Sequence, residues 1–189
     1  FRQNNIHKLV CSALSDSGLD AKYLELELTE SVILRDREKA LTELRQLKEL
    51  GVTLALDDFG TGYSSLSYLK DFPFDVIKID KSFICGVANS NEEASLTKSI
   101  ISLAESLHMV TVAEGVETLE ELSFLNVNHC DAMQGFYFSR PLPADEVNAL
   151  LGARTCLPED NCHPPPRPIP QLVENNRKEP IDPRAGSSA

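Results

Sequence analysis

The 189-residue chain contains no tryptophan, only two methionines and 6% aromatic residues, yet its 42% hydrophobic content fits one soluble domain with a sizeable core. Basic residues are also scarce, with 18 Lys and Arg against 29 Asp and Glu and a formal net charge of −11. That balance repels nucleic acid polymers and anionic membranes, and no basic stripe offsets it. No apolar run approaches the roughly 20 residues that cross a bilayer, so no membrane contact is expected of this segment. Five cysteines, Cys11, Cys85, Cys130, Cys156 and Cys162, are odd in number and scattered, and nothing near the start resembles a signal peptide. Reduced thiols are expected, in the cytoplasm or in the cytosolic part of a larger protein. Cys156, Cys162 and His163 lack the fourth ligand of a structural zinc site. There is no glycine-rich turn after the first strand and no Gly-Lys-Ser/Thr ending, which argues against a dinucleotide fold and a P-loop.

Proline is nearly absent from the first 153 residues, whereas eight of the eleven prolines fall within residues 154–189. That stretch, with five basic and five acidic residues, reads as a disordered tail. The net negative charge therefore belongs to residues 1–153, the expected folded domain. An anionic substrate would then need a divalent cation as intermediary. The chain opens on Phe1, near or inside an amphipathic helical pattern, and reads as a piece of a longer protein.

Along residues 1–153 helical patterns alternate with short apolar strands. Helices are predicted near 3–16, 36–50, 64–70, 92–107, 118–126 and 143–153, and strands near 23–29, 52–57, 75–80, 109–114 and 130–138. Repeated strand and helix units mean a parallel sheet. Five strands with polar groups at their C-terminal ends predict an α/β fold, an incomplete (β/α)8 barrel of the TIM type. Missing strands would leave open edges near 24–29 and 132–138, and with them a tendency to aggregate.

The most informative segment is Asp57-Asp58-Phe59-Gly60-Thr61-Gly62, in which two carboxylates close an apolar strand and a glycine opens the following loop. Val52, Leu54 and Leu56 share one face of that strand, which aims Asp57 at the other. An uncompensated buried carboxylate costs several kcal/mol, roughly, so it should be paired or hold a cation. In Leu24-Glu25-Leu26-Glu27-Leu28-Thr29 the leucines and the carboxylates likewise alternate, either as an inner polar face or as a half-exposed edge strand. Ile77 and Ile79 can face helices while Lys78 and Asp80 face inward, Asp80 as a site residue or as one half of a buried ion pair. Lys78 could orient a water or neutralise charge on a phosphoryl group. Glu114 shares parity with Val110 and Val112, so a bulge or the strand end must re-aim it if it is to join the site; helix capping is the alternative. Gln134, before Gly135, says little alone.

Glu27, Asp57, Asp58, Lys78, Glu114 and Gln134 all lie at or near ends of consecutive strands, where barrel enzymes build their sites. Hard carboxylate oxygens without a matching His or Cys set favour Mg²⁺ or Mn²⁺ over zinc. Adjacent Asp57 and Asp58 could let one carboxylate bridge two ions, an arrangement suited to attack by water on a phosphodiester.

In their order, Glu27-Leu28-Thr29-Glu30-Ser31, Asp57-Asp58-Phe59-Gly60-Thr61-Gly62, Lys78-Ile79-Asp80, Glu114-Gly115-Val116-Glu117 and Gln134-Gly135-Phe136 resemble the signature of bacterial EAL-domain phosphodiesterases. The resemblance runs from residue 1 to about 153. It implies a barrel that hydrolyses cyclic di-GMP to linear pGpG with two Mg²⁺ or Mn²⁺ ions. It carries metal binding onto Glu27, Asp57, Asp58 and Glu114, water positioning onto Lys78 and site support onto Gln134. Asp80 and Glu117 would make secondary polar contacts. Glu30 would anchor the loop from Phe59 to Leu66, through which such domains form homodimers.

The 189 residues hold neither the Glu-Ala-Leu motif that names the family nor its Asn-Leu-Ser segment, and each supplies a metal ligand. The expectation is therefore a chain inactive as it stands, whose longer parent, with a sensory or GGDEF domain upstream, is the enzyme. The alternatives are a catalytically degenerate module that binds cyclic di-GMP or dimerises, and a truncated gene product without function.

Overall fold

A computed structural model describes residues 6–33, 36–60 and 69–152. The predicted tail, the loop from Thr61 to Ser65 and Leu66, and most of the helix expected over 64–70 lie outside the described residues.

Five strands form one parallel sheet in chain order: β1 (Glu25–Thr29), β2 (Thr53–Phe59), β3 (Val76–Ile79), β4 (Val110–Ala113) and β5 (Ala132–Met133). The helices between and around them are α1 (Ile6–Ser17), α2 (Glu30–Ile33), α3 (Arg37–Glu49), α4 (Lys81–Ile84), α5 (Asn91–Ser106), α6 (Leu119–Val127) and α7 (Ala144–Gly152). This is the five-stranded arc of a (β/α)8 barrel that the sequence predicts. Among the described residues β1 and β5 each pair on one side only.

Alternation along the strands divides the arc into two faces. Leu54, Leu56, Ile77, Ile79 and Ala113 turn outward into the main core, with Leu44 and Leu47 of α3 and Ile100, Ile101 and Ala104 of α5. Ala55, Val76 and Val110, with Val112 against them, form a small second cluster on the inner face. The register aligns Glu27 with Ala55, Ala55 with Val76, Val76 with Val110, and Lys78 with Val112. Every inward residue therefore lies in a layer with its neighbours.

The helices start on local signals. Asp36 accepts from Lys39 N at 3.3 Å ahead of α3, and Ser90 accepts from Glu93 N at 3.3 Å ahead of α5. Ahead of α6, Thr118 and Glu121 form a capping box. At the opposite end of the sheet from the carboxylates, two aspartates tie strand to strand. Asp75, just before β3, accepts the Leu54 N–H of β2 at 2.8 Å, and Asp131, just before β5, accepts the Thr111 N–H of β4 at 2.9 Å.

Three expectations need correction. The strand predicted over 130–138 is only Ala132–Met133, because the chain turns at Gly135 to pack on Val116. A Cβ at Gly135 would lie 2.1 Å from Val116 O, and Val116 N donates to Gln134 O at 3.1 Å. Asp80 does not pair with Lys78; it accepts from Ser82 N at 3.0 Å and caps α4. Those hydrogen bonds from Ser82 hold its carboxyl below the usual range. Finally, Glu114 needs no bulge. Val110 and Val112 are themselves inward, β4 pairs with β3 in unbroken register, and residue 114 follows on the inner side.

Candidate active site

The bulge lies instead in β2. Leu56 pairs with Ile77 and Phe59 with Ile79, so three steps on β2 match two on β3. Asp57 and Asp58 make up the extra length. Asp58 has φ +54°, a left-handed conformation that aspartate tolerates better than most residues. The extra residue flips the alternation, so that Phe59 returns to the outer core beside Leu54 and Leu56 although its parity is opposite. Gly60 completes the turn at φ +94°, where a Cβ would come within 2.7 Å of the Phe83 ring. A strained strand end thus presents both carboxylates at the mouth of the arc, Asp57 partly buried and Asp58 exposed.

Lys78 is the centre of the site. Its side chain rises from the inner face of β3, above Val76, and the residue is only 7% exposed. Nζ lies 2.6 Å from Glu27 Oε1, 2.8 Å from Glu114 Oε1 and 3.3 Å from Asp57 Oδ1. Glu27 reaches it from β1 across the small Ala55 of β2. Gln134, just past β5, donates from Nε2 to the same Glu114 Oε1 at 2.9 Å. Residues from the ends of all five strands thus converge. Burial disfavours the Lys78 ammonium, but hydrogen bonds to Glu114 and Glu27, with the charges of Glu114 and Asp57, outweigh it and raise its pKa above the ordinary lysine value.

Three carboxylates face one ammonium, which leaves two negative charges uncompensated in the inner shell, with Asp58 beside them. Asp57 Oδ1 is buried and, among the described residues, accepts no hydrogen bond in its position 3.3 Å from Lys78. A hard, acceptor-only oxygen set of this charge fits a divalent cation in its donor chemistry. Among the described residues no three such side chains stand at mutual metal-binding spacing. The ammonium holds the centre around which they are arranged.

The remaining predicted residues surround this centre. Glu117 pairs with Lys81 at 2.5 Å on the exposed rim, and the Lys81 stem packs over Gly115, where a Cβ would meet it at 2.7 Å. Glu30 is buried, 6% exposed, in α2 directly after β1. Glu114 does not cap α6, since Thr118 and Glu121 fill that role. Glu25 and Glu27 are both exposed, as in the half-exposed edge strand, and Glu27 in addition turns inward to Lys78. Sequence reasoning missed Lys81, and the only available signal was its place directly after Lys78-Ile79-Asp80.

With this geometry in hand, comparison with known proteins gives a consistent result. The EAL domain family model matches residues 1–141, and the chain belongs to that family. The chain is 47% identical over 141 residues to the cyclic di-GMP phosphodiesterase NbdA of Pseudomonas aeruginosa, covering 75% of this chain and 18% of NbdA. It resembles the structure of the PaMucR phosphodiesterase in complex with c-di-GMP, with TM-score 0.73 and 41% identity over 77% of this chain and 59% of that one. A manganese and cyclic di-GMP complex of Klebsiella pneumoniae BlrP1 matches with TM-score 0.67 and 36% identity, over 71% of this chain and 34% of BlrP1. The chain spans only 17–19% of the length of the first three curated relatives. Among the described residues no helix is long and apolar enough to cross a membrane.

Proposed function

We propose that this site serves the hydrolysis of cyclic di-GMP to linear pGpG, and that Glu27, Asp57, Asp58 and Glu114 hold two divalent cations, Mg²⁺ or Mn²⁺. The observation that carries the reading is the convergence of Glu27, Asp57 and Glu114 on one point at the strand ends, with two negative charges left over. Bound there, the ions supply Lewis-acid stabilisation of the phosphodiester and a water of lowered pKa. Lys78 supplies a directional donor and a positive charge beside the reacting phosphate. Gln134 fixes the orientation of Glu114. Asp57, partly buried where β2 bulges, would be the carboxylate shared by the two ions.

The same reading assigns residues 1–153 to the C-terminal portion of an EAL domain and residues 154–189 to a proline-rich tail. It assigns Glu30 to anchoring the Phe59–Leu66 loop, that loop to homodimer formation, and Asp80 and Glu117 to supporting polar contacts. The NbdA and BlrP1 coverages support a longer parent, and the reading gives that parent a sensory or GGDEF domain upstream. On this reading the 189 residues alone are without turnover, because the Glu-Ala-Leu and Asn-Leu-Ser segments, with a ligand each, are not among them. The test is hydrolysis of cyclic di-GMP with Mn²⁺ by the 189-residue chain beside a version extended upstream through both segments, each verified as folded. Turnover only in the extended protein supports the proposal, and equal turnover in both removes the claim of inactivity.

A further inference from the structure

We propose that Lys78 is an internal counter-ion that occupies the cation position of the site and must move aside for a divalent ion to enter, so that it sets the threshold for metal binding. The inference rests on the metal reading given above and concerns what this chain adds to it. The first observation is occupancy, since one nitrogen stands 2.6, 2.8 and 3.3 Å from oxygens of Glu27, Glu114 and Asp57. Each of those oxygens belongs to the proposed ligand set. A cation bound by the same oxygens would sit where the ammonium sits, and two positive centres cannot share that distance from three common partners. The second is necessity. Lys78 rises from an apolar layer of Ala55, Val76 and Val110, so without it three carboxylates would face one another over that layer, with the amide donor of Gln134 directed to Glu114. The third is freedom to leave. A lysine ammonium sits on a flexible four-carbon stem. Among the described residues the mouth side of the cluster is open, with the Glu27 side chain 47% exposed and Gln134 exposed.

The consequence is a trade in one residue between order without metal and affinity for metal. Lys78 holds the strand ends in place when no cation is bound and competes with the cation when one arrives. Once displaced toward the mouth, it is carried to where a substrate phosphate would lie.

The test is titration of the full 189-residue chain and its Lys78→Met variant with Mn²⁺ by calorimetry, without cyclic di-GMP, together with thermal melts of both. The expected result is Mn²⁺ binding at least about 10-fold tighter in the variant, equivalent to about 1.4 kcal/mol. The metal-free variant should melt at a lower temperature than wild type and gain more from saturating Mn²⁺. Equal or weaker Mn²⁺ binding in the variant overturns the role of Lys78 while leaving the metal site standing. Absence of binding in both proteins at millimolar Mn²⁺ moves the same titration to the upstream-extended protein and its Lys78→Met variant, where absence of binding in both overturns the metal reading itself. Should Lys78→Met fail to fold, wild-type protein labelled in its lysine side chains and titrated with Mg²⁺ decides by NMR. A Lys78 Cε resonance that moves on saturation supports displacement, and one that stays unmoved excludes it.

Discussion

Asp75 and Lys48 form a nearly buried ion pair of 2.7 Å at the base of the arc, and the same Asp75 oxygen accepts the Leu54 backbone N–H at 2.8 Å. Lys48 also donates to Val52 O at 3.0 Å, so one pair joins the end of α3, the entry to β2 and the start of β3. Removing one partner of a buried pair strands the other charge and typically costs about 3–5 kcal/mol. Asp75→Ala should therefore lose stability of that order in urea denaturation. A loss below about 1 kcal/mol, the range of surface pairs, would remove the clamp from this account.

Asp58 offers a separation of backbone from charge. At φ +54° asparagine is tolerated nearly as well as aspartate, whereas a β-branched residue is not. Asp58→Asn should leave stability within about 0.5 kcal/mol, and Asp58→Val should cost about 1–3 kcal/mol. Thermal melts check both. If Asp58→Asn also weakens Mn²⁺ binding, charge rather than fold accounts for it.

The capping box ahead of α6 gives a prediction away from the site. Thr118 Oγ1 accepts from Glu121 N at 3.2 Å, and Glu121 Oε2 accepts from Thr118 N at 3.1 Å and Glu117 N at 2.8 Å. Thr118→Ala should destabilise by about 1 kcal/mol, with Thr118→Ser restoring most of it. Equal melting of all three proteins would count against the box as a stabilising element.

Cys130 is buried beneath β4 and β5, and burial pushes its thiol up to about 11, against weaker opposing hydrogen bonds to Thr111 and Ala132. In the folded protein the proton stays on, while an unfolded chain releases it near the ordinary thiol value of about 9. The stabilisation is fully present below that value and is lost as pH rises to about 11. At pH 8 a thiol reagent should label the exposed Cys85 and leave Cys130 unmodified until denaturant is added. Rapid labelling of Cys130 in native protein, read by mass spectrometry, would contradict its burial.

Much of the arc is legible in the sequence because strand parity and helix caps are local signals. Leu54 with Leu56, and Ile77 with Ile79, mark the outer face of their strands by alternation alone, and Gly51 closes α3 as predicted. The bulge is not legible in that way. Parity alone aims Glu114 wrongly, because it treats every valine as a helix-facing residue, whereas the inner face of a barrel carries its own apolar layer of Val76, Val110 and Val112 below the charges. The same counting cannot see that Asp58 absorbs an extra step of β2, since only pairing with β3 exposes the mismatch. Alternation marks Lys78 as one inward residue among several. Its position at the centre of three carboxylates depends on the three pairings that align four strands, which no single segment encodes.

The central claim, that the carboxylates gathered around Lys78 form a cation-dependent phosphodiesterase site, is tested most directly by one comparison. Cyclic di-GMP hydrolysis is followed with Mn²⁺ in the upstream-extended protein and in its Asp57→Asn variant, with folding of both confirmed by their melting transitions. Metal-dependent turnover in the first and a loss of at least about 100-fold in the second is the predicted result, as expected when an electrostatic element of the transition state is removed. Comparable turnover in both proteins, or turnover undiminished by chelation of the metal, would contradict the account.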